Sequence, residues 1–337
     1  MTKFATLAYI TGVLLDDATS PELLRETLDI YRDLLLTASD LDLGGEDSLD
    51  HLDTGKGVAI GATWAALCVD DLIRTKRFVA GLYQAVREIS AQRLGPVHVF
   101  YAGTGPFATL ALPLMTRFTA EQLQFTCLEI NPVSFHAVQE TFGYFGFGEF
   151  VREVVQTDAS TYCLDRHLPI DIMLSETMQY CLLEEMQVPI ALNLMGQLPA
   201  STIMIPERIT LSLCEVEDTA DQPVTADLGV IFCADKKSLR EYGAHGMGID
   251  FPTTRFEIWP GFTTAVQPLS KLLAIRTHIH IYGDHRLADY ESGLTIPSII
   301  GRFPEDDVDE QVEAIDFTYR LSPSPQLNVE FVVSTLA

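Results

Sequence analysis

The chain has 337 residues, 47% of them apolar and 20% charged, and its 22 Lys and Arg against 47 Asp and Glu give a net charge of −25. That composition excludes a disordered or collagen-like chain and fits a globular protein of about two structural units. The acidic balance argues against nucleic-acid binding, which needs clustered Lys and Arg, and against docking on an anionic membrane, while a cationic ligand is compatible with it.

Six cysteines (Cys68, Cys127, Cys163, Cys181, Cys214 and Cys233) are scattered without a C-x-x-C pair. Most lie in apolar runs, where a free Cys acts as a small hydrophobe. This predicts a reducing, cytoplasmic compartment with no disulfide framework and no metal site. No apolar run approaches the roughly 18 residues of a membrane span, and no basic segment followed by an apolar one suggests a secretory signal.

In chain order, residues 1–95 read as a helical N-terminal cap or lid. Ser20-Pro21-Glu22 gives an N-cap, a proline at the first helical position and an early acid, and Leu23, Leu24, Leu28, Tyr31, Leu34 and Leu35 follow at helical spacing. Residues 38–56, rich in Gly, Ser and Asp, read as an exposed acidic loop, and a second helical block spans 60–93. After Leu94-Gly95-Pro96 the pattern alternates. Val97–Ala102 reads as strand, Ala108–Phe118 as helix and Phe125–Ile130 as strand. Pro132–Phe145 follows as helix, then Val151–Gln156 and Ile170–Ser175 as strands and Cys181–Met195 as helix. Such an order predicts an α/β unit over 96–200 with a parallel, Rossmann-like sheet. From 201 to 337 the pattern is strands and turns, at Ile203–Leu213, Val230–Cys233, Leu273–Tyr282, Ala314–Leu321 and Val329–Ser334. It predicts a C-terminal antiparallel β unit, a barrel or a sandwich. Residues 305–316, with seven acids and no base, read as a solvated edge or loop.

The first strand of the α/β unit runs into Ala102-Gly103-Thr104-Gly105 just before a predicted helix. Glycines there let a backbone approach a ligand and let a helix N-terminus present free N–H groups, although a G-x-G pair also serves as a plain tight turn. The next strand ends in Glu129-Ile130-Asn131, where an acid can accept two ribose hydroxyls, and the third ends in Thr157-Asp158-Ala159, where an acid can accept from an adenine amine. Each acid alone can equally be a loop cap. The loop lacks the third glycine of G-x-G-x-x-G, with Ala108 in that place, and lacks the Gly-Lys-Ser/Thr of a P-loop.

Residues 170–185 read I-D-I-M-L-S-E-T-M-Q-Y-C-L-L-E-E, with Glu176 and Glu185 on either side of a strand-to-helix connection. Two carboxylates brought together there need a cation or donors between them, and a guanidinium or amine is such a cation. The segment resembles the double-glutamate loop of the protein arginine methyltransferases, V-D-I-I-I-S-E-W-M-G-Y-x-L-L-Y-E, matching at Asp171, Ser175, Glu176, Met178, Tyr180, Leu182, Leu183 and Glu185. Residues 199–208, P-A-S-T-I-M-I-P-E-R, are similar to that family's P-G-G-x-I-x-P-D-R run, and Asp71-Leu72-Ile73-Arg74-Thr75 to its D-x-x-R-T helix. The resemblance spans about residues 60–210. It implies a class I methyltransferase fold and S-adenosylmethionine (SAM) as cofactor, with no metal. Arg74 would hold the amino-acid carboxylate, Glu129 the ribose, and Asp158 would lie near the adenine. Ala102, Gly103, Thr104, Gly105, Ile130, Asn131, Ala159 and Ser175 complete the implied cofactor-binding set. Glu176, Glu185 and Tyr180 are the implied catalytic residues.

The sequence also departs from that family's pattern. Val99 stands where the family's V-L-D-V-G has its acid, Thr177 and Gln179 replace a Trp and a Gly, Cys68 replaces a Met, and Ala59 and Ala62 replace an aromatic pair. Thr277-His278-Ile279-His280 is the nearest string to that family's Thr-His-Trp run and reads as ordinary strand. Tyr180, Phe107 and Phe135 are candidates to face the sulfonium. These features predict a SAM-dependent N-methyltransferase of specialised metabolism, acting on a small amine or guanidine. One alternative is attack on the SAM γ-carbon, as in azetidine-2-carboxylate synthases, or transfer of the aminocarboxypropyl group; the other is a non-catalytic scaffold partner. A homodimer is an expectation from the family's arm, although residues 215–262 do not resemble that arm.

Overall fold

Among the described residues, which are 2–165, 167–243, 250–257, 271–302, 310–321 and 323–335, the computed structural model contains eight α-helices and fifteen β-strands. The N-terminal part comprises α1 (Lys3–Leu15), α2 (Pro21–Ser39), α3 (Glu46–Leu49), a hairpin of β1 (Leu52–Asp53) and β2 (Val58–Ala59), α4 (Ala62–Leu67) and α5 (Leu72–Ser90). Ser20 caps α2 as expected, its hydroxyl accepting from the Leu23 N–H at 3.2 Å, and Leu24, Leu28, Tyr31 and Leu35 form its buried stripe. Each such buried side chain contributes roughly 1.5–3 kcal/mol. The segment expected as an acidic loop carries α3 and the hairpin's first strand, and Leu41 and Leu43 anchor it against the core.

The middle of the chain forms β3 (Val97–Ala102), β4 (Leu123–Glu129), α6 (Pro132–Phe145), β5 (Val151–Gln156), β6 (Ile172–Ser175), α7 (Gln187–Gln197) and β7 (Ile203–Ile205). The five strands pair in parallel in the order β5-β4-β3-β6-β7. Central β3 is buried along its whole length, which is why its sequence is almost wholly apolar; its His98 ring lies 2.7 Å from the Pro169 carbonyl and 2.8 Å from Thr126 Oγ1. From β3 the chain runs outward through β4 and β5 and then crosses back to β6 on the other side of β3, so the crevice at the C-terminal ends of these strands is the switch point where open α/β sheets take ligands.

Two predicted helices differ. The Ala108–Phe118 stretch forms turns and a 3-10 segment over Leu112–Thr116 instead of an α-helix. Ala108 adopts a left-handed φ of 48°, and Pro113 has no N–H to continue the ladder. No helix N-terminus therefore follows the glycines. The Cys181–Met195 helix begins only at Gln187, because Cys181, Leu182 and Glu184 take positive φ angles of 55°, 56° and 60°.

The C-terminal part comprises β8 (Arg208–Glu217), β9 (Val224–Asp235), α8 (Lys236–Gly243), β10 (Thr254–Glu257), β11 (Lys271–Tyr282), β12 (His285–Leu287), β13 (Ser298–Arg302), β14 (Glu310–Arg320) and β15 (Gln326–Thr335). These strands form two antiparallel sheets, β12-β11-β8-β9 with β13 on β11, and β10-β14-β15. Phe232 stacks on Tyr319 between them at 4.4 Å, with Phe251 edge-on to both. The expected Ile203–Leu213 strand is two strands, the first completing the parallel sheet, and α8 was not anticipated. The expected acidic edge is part of β14 from Glu310 to Asp316, while residues 305–309 lie outside the described residues. Ala314, Ile315 and Phe317 bury there, and Arg255 holds Asp316 through two hydrogen bonds, so the segment is strand despite its charge.

One core runs through the α/β and β parts. α5 packs so closely on β11 that a Cβ at Gly81 would lie 2.8 Å from Ile281. No described helix is long and apolar enough to cross a membrane.

Candidate active site

A cavity of about 370 Å³ opens at the C-terminal edge of the parallel sheet, within the size range of small-molecule sites. It gathers eleven of the fourteen expected residues: Arg74, Gly103, Thr104, Gly105, Glu129, Ile130, Asp158, Ala159, Glu176, Tyr180 and Glu185. Ala102, Asn131 and Ser175 do not line it. Ala102 and Ser175 are buried register partners in β3 and β6. Asn131 caps α6, its Oδ1 accepting from the Val133 and Ser134 N–H groups at 2.9 and 3.1 Å. Phe107 and Phe135 also stand outside the lining, so of the three expected rings only Tyr180 reaches the cavity.

The glycine turn and Glu129 form one unit. Glu129 is the last residue of β4 and is buried. Its Oε2 accepts from the Gly105 N–H at 2.8 Å and its Oε1 from the Asn131 N–H at 2.9 Å. Burial pushes this carboxyl upward, and those N–H donors oppose the shift. Each oxygen has a second lone pair, so acceptor capacity is left over. Gly103, at φ 74°, lies so close to Thr177 that a Cβ would come within 2.2 Å of its methyl group. The turn thus touches the residue directly after Glu176. At the end of β5, Asp158 Oδ1 accepts from the Ser160 N–H at 2.7 Å, closing a local turn at the cavity wall.

On the opposite wall Arg74 is ion-paired to Glu176, with side-chain exposures of 12% and 9%. Glu176 Oε2 takes that contact, and its Oε1 is buried with no hydrogen-bond partner. Burial raises the Glu176 carboxyl, with Arg74 opposing. Burial is the largest single influence on Arg74 and acts against its charge, but Glu176, Cys68 and Asp71 together outweigh it and hold the guanidinium charged. The Glu185 carboxyl is pushed up to about 7, by burial first and then by the charge of Glu176, with Arg74 opposing. Burial likewise lifts the Cys68 thiol to about 11, against the pull of Arg74. The arrangement is a buried cation beside two carboxyl groups, one of them poised to exchange a proton near neutral pH.

The double-glutamate loop is held by distant segments. The Cys181 N–H donates to Thr277 Oγ1 at 3.1 Å, Tyr319 Oη donates to the Leu182 carbonyl at 2.5 Å, and the Glu184 N–H donates to the Pro325 carbonyl at 2.7 Å. From the N-terminal side the Val58 N–H donates to the Glu184 carbonyl at 2.8 Å. These partners account for the left-handed residues, a strain of order 1–3 kcal/mol each. Sequence reasoning missed the hairpin residues Val58, Ala59 and Ile60 as pocket wall, and Gly293 and Leu294 from the β part. Asp71 ties that wall to Arg74: it caps α5 by accepting from the Arg74 N–H, and its Oδ2 accepts from Ser292 Oγ at 2.6 Å and the Gly293 N–H at 3.1 Å. No local pattern marks these contacts. Tyr101 was also missed, although an aromatic residue two places before Gly103 was visible. His278 and His280 lie on β11 as ordinary strand residues, beside Asp289 and the Gly283 carbonyl respectively.

No family model matches the chain, and no curated protein does. Solved structures are similar to it in fold. The Trypanosoma brucei PRMT1 enzyme–prozyme heterotetrameric complex with AdoHcy has a TM-score of 0.53 at 14% identity, covering 80% of this chain and 92% of that one. Arabidopsis thaliana protein arginine methyltransferase 10, in an open conformation, has a TM-score of 0.52 at 9% identity, covering 79% and 96%. PRMT6 has 0.51 at 11%, covering 78% and 97%. The shared architecture is a Rossmann-like parallel sheet with a helical N-terminal part and a C-terminal antiparallel β unit.

Proposed function

We propose that the chain is a SAM-dependent enzyme that transfers a methyl group to the nitrogen of a small amine or guanidine. The observation that carries this reading is the convergence, in one cavity, of the glycine turn with Glu129, of Asp158, and of the Arg74–Glu176–Glu185 group. The likeness in fold to a structure that holds AdoHcy supports it.

The donor set suits SAM. Glu129 keeps free lone pairs for ribose hydroxyls, Asp158 offers an acceptor for an adenine amine, and Arg74, with several N–H groups beyond its contact to Glu176, can hold a carboxylate. When bound, SAM supplies a sulfonium whose methyl and γ-carbons are both open to an amine. The unpartnered Oε1 of Glu176 orients the acceptor N–H, and Glu185, with its carboxyl near 7, accepts the proton that the nitrogen must lose. Val58, Ile60 and Met186 add apolar wall to the same cavity. Orientation of this kind lowers a barrier by up to about 7–11 kcal/mol in favourable cases.

One observation favours a second reading. Arg74 and Glu176 touch, so the anchor for an amino-acid carboxylate and the group that orients the attacking amine are neighbours. An amine next to that carboxylate is the one on SAM itself, which points to attack on the γ-carbon and release of 5′-methylthioadenosine. Incubating the pure protein with SAM, with and without added amines, and identifying the thioether by mass spectrometry separates the two. S-adenosylhomocysteine appearing only with an acceptor supports methyl transfer, and 5′-methylthioadenosine from SAM alone overturns it.

A further inference from the structure

Tyr101 is 3% exposed yet lines the cavity. It lies on β3, in register with Cys127 of β4 and Leu174 of β6. Each partner is two residues ahead of a site glutamate, Glu129 on one side and Glu176 on the other. Residues two apart share a face of a strand, so Tyr101 shares its face with Glu129, while Glu176 directly follows Ser175, the last residue of β6. Tyr101, on the central strand, therefore lines the cavity floor between the strands that lead to the two glutamates. The charges of both act on its phenol, which burial above all keeps protonated.

A ligand whose ribose meets Glu129 and whose amino-acid end meets Arg74 crosses this floor at its middle, where SAM carries its positive charge. A cation entering the cavity loses hydration and needs compensation there. The flanking carboxylates already hold partners, Glu129 two backbone N–H groups and Glu176 the Arg74 cation, and their remaining lone pairs suit N–H and O–H donors, which a sulfonium lacks. The face of an aromatic ring supplies that compensation without adding charge. Tyr180, the expected ring, is 44% exposed and offers far less of it.

Resting on the reading that the cavity takes SAM, we propose that the Tyr101 ring faces the sulfonium and sets the preference for SAM over its neutral thioether product. The test is calorimetric titration of SAM and S-adenosylhomocysteine into the full chain and its variants. Tyr101→Leu should weaken SAM about 5- to 25-fold and leave S-adenosylhomocysteine within about twofold. Tyr101→Phe, which keeps the ring, should bind both ligands within about threefold of wild type. Equal weakening of both ligands by Tyr101→Leu overturns the proposal, as does a loss in Tyr101→Phe as large as in Tyr101→Leu. If Tyr101→Leu does not fold, phenylalanines of increasing fluorination at position 101 keep the shape and weaken the ring face. SAM affinity should then fall stepwise, and a flat series overturns the assignment. Wild type binding neither ligand overturns the SAM reading itself, an outcome distinct from wild type binding both without a role for Tyr101.

Discussion

The two walls of the cavity are built in opposite ways. The glycine turn and Glu129 are held by near neighbours: Gly105 and Asn131 donate to Glu129, and Asn131 caps the helix that follows. The double-glutamate loop is held from afar, by Val58 on the N-terminal hairpin and by Thr277, Tyr319 and Pro325 of the β part. One wall is finished by local hydrogen bonds to backbone. The other brings a buried ion pair and several left-handed non-glycine residues, held by segments more than ninety positions away in the chain. The groups proposed to hold the cofactor nucleoside lie on the first wall, and those proposed to handle the proton lie on the second.

The largest expected effect breaks the second wall at its charge pair. Arg74→Leu leaves Glu176 buried without its cation and should cost about 3–5 kcal/mol in denaturant unfolding. Next is Glu185. Its pKa rises from 4.5 to about 7 on folding, so the native state binds more protons between those values. Its contribution to stability is complete below about pH 4.5 and is lost as the pH rises through 7, by about 3 kcal/mol. Unfolding followed from about pH 4.5 to about pH 8 should show this fall in wild type and a flatter profile in Glu185→Gln. Tyr319→Phe leaves the Leu182 carbonyl buried without its donor, for about 1–3 kcal/mol, and hydrogen exchange should quicken over residues 181–184. The smallest effect belongs to the first wall. Asn131→Ala removes a helix cap for about 1 kcal/mol, with ligand affinity unchanged because its side chain does not line the cavity.

This difference also explains what was legible in the sequence. β3, β4, α6 and β5 follow their apolar patterns almost to the residue, and Glu129 and the glycine turn were visible because each stands at the end of one of two consecutive strands in that pattern. The helix expected over 181–186 failed because the backbone there bonds to residues more than ninety positions away or to the N-terminal hairpin. The helix after the glycines failed for a local reason, the left-handed Ala108 followed by Pro113, which outweighed the apolar spacing. Glu176 and Glu185 were found by motif. The pairing of Glu176 with Arg74 was not, since it joins residues 102 positions apart. Val58, Gly293 and Leu294 carry no chemical signature and become pocket wall only through tertiary packing.

In the proposed function the first wall receives SAM through Glu129. Titrating SAM into wild type and Glu129→Ala by calorimetry tests it directly. One molecule should bind per chain, and the variant should lose at least about tenfold in affinity with its unfolding transition retained. An affinity unchanged by removal of the Glu129 carboxylate, or no binding to wild type at all, would contradict it.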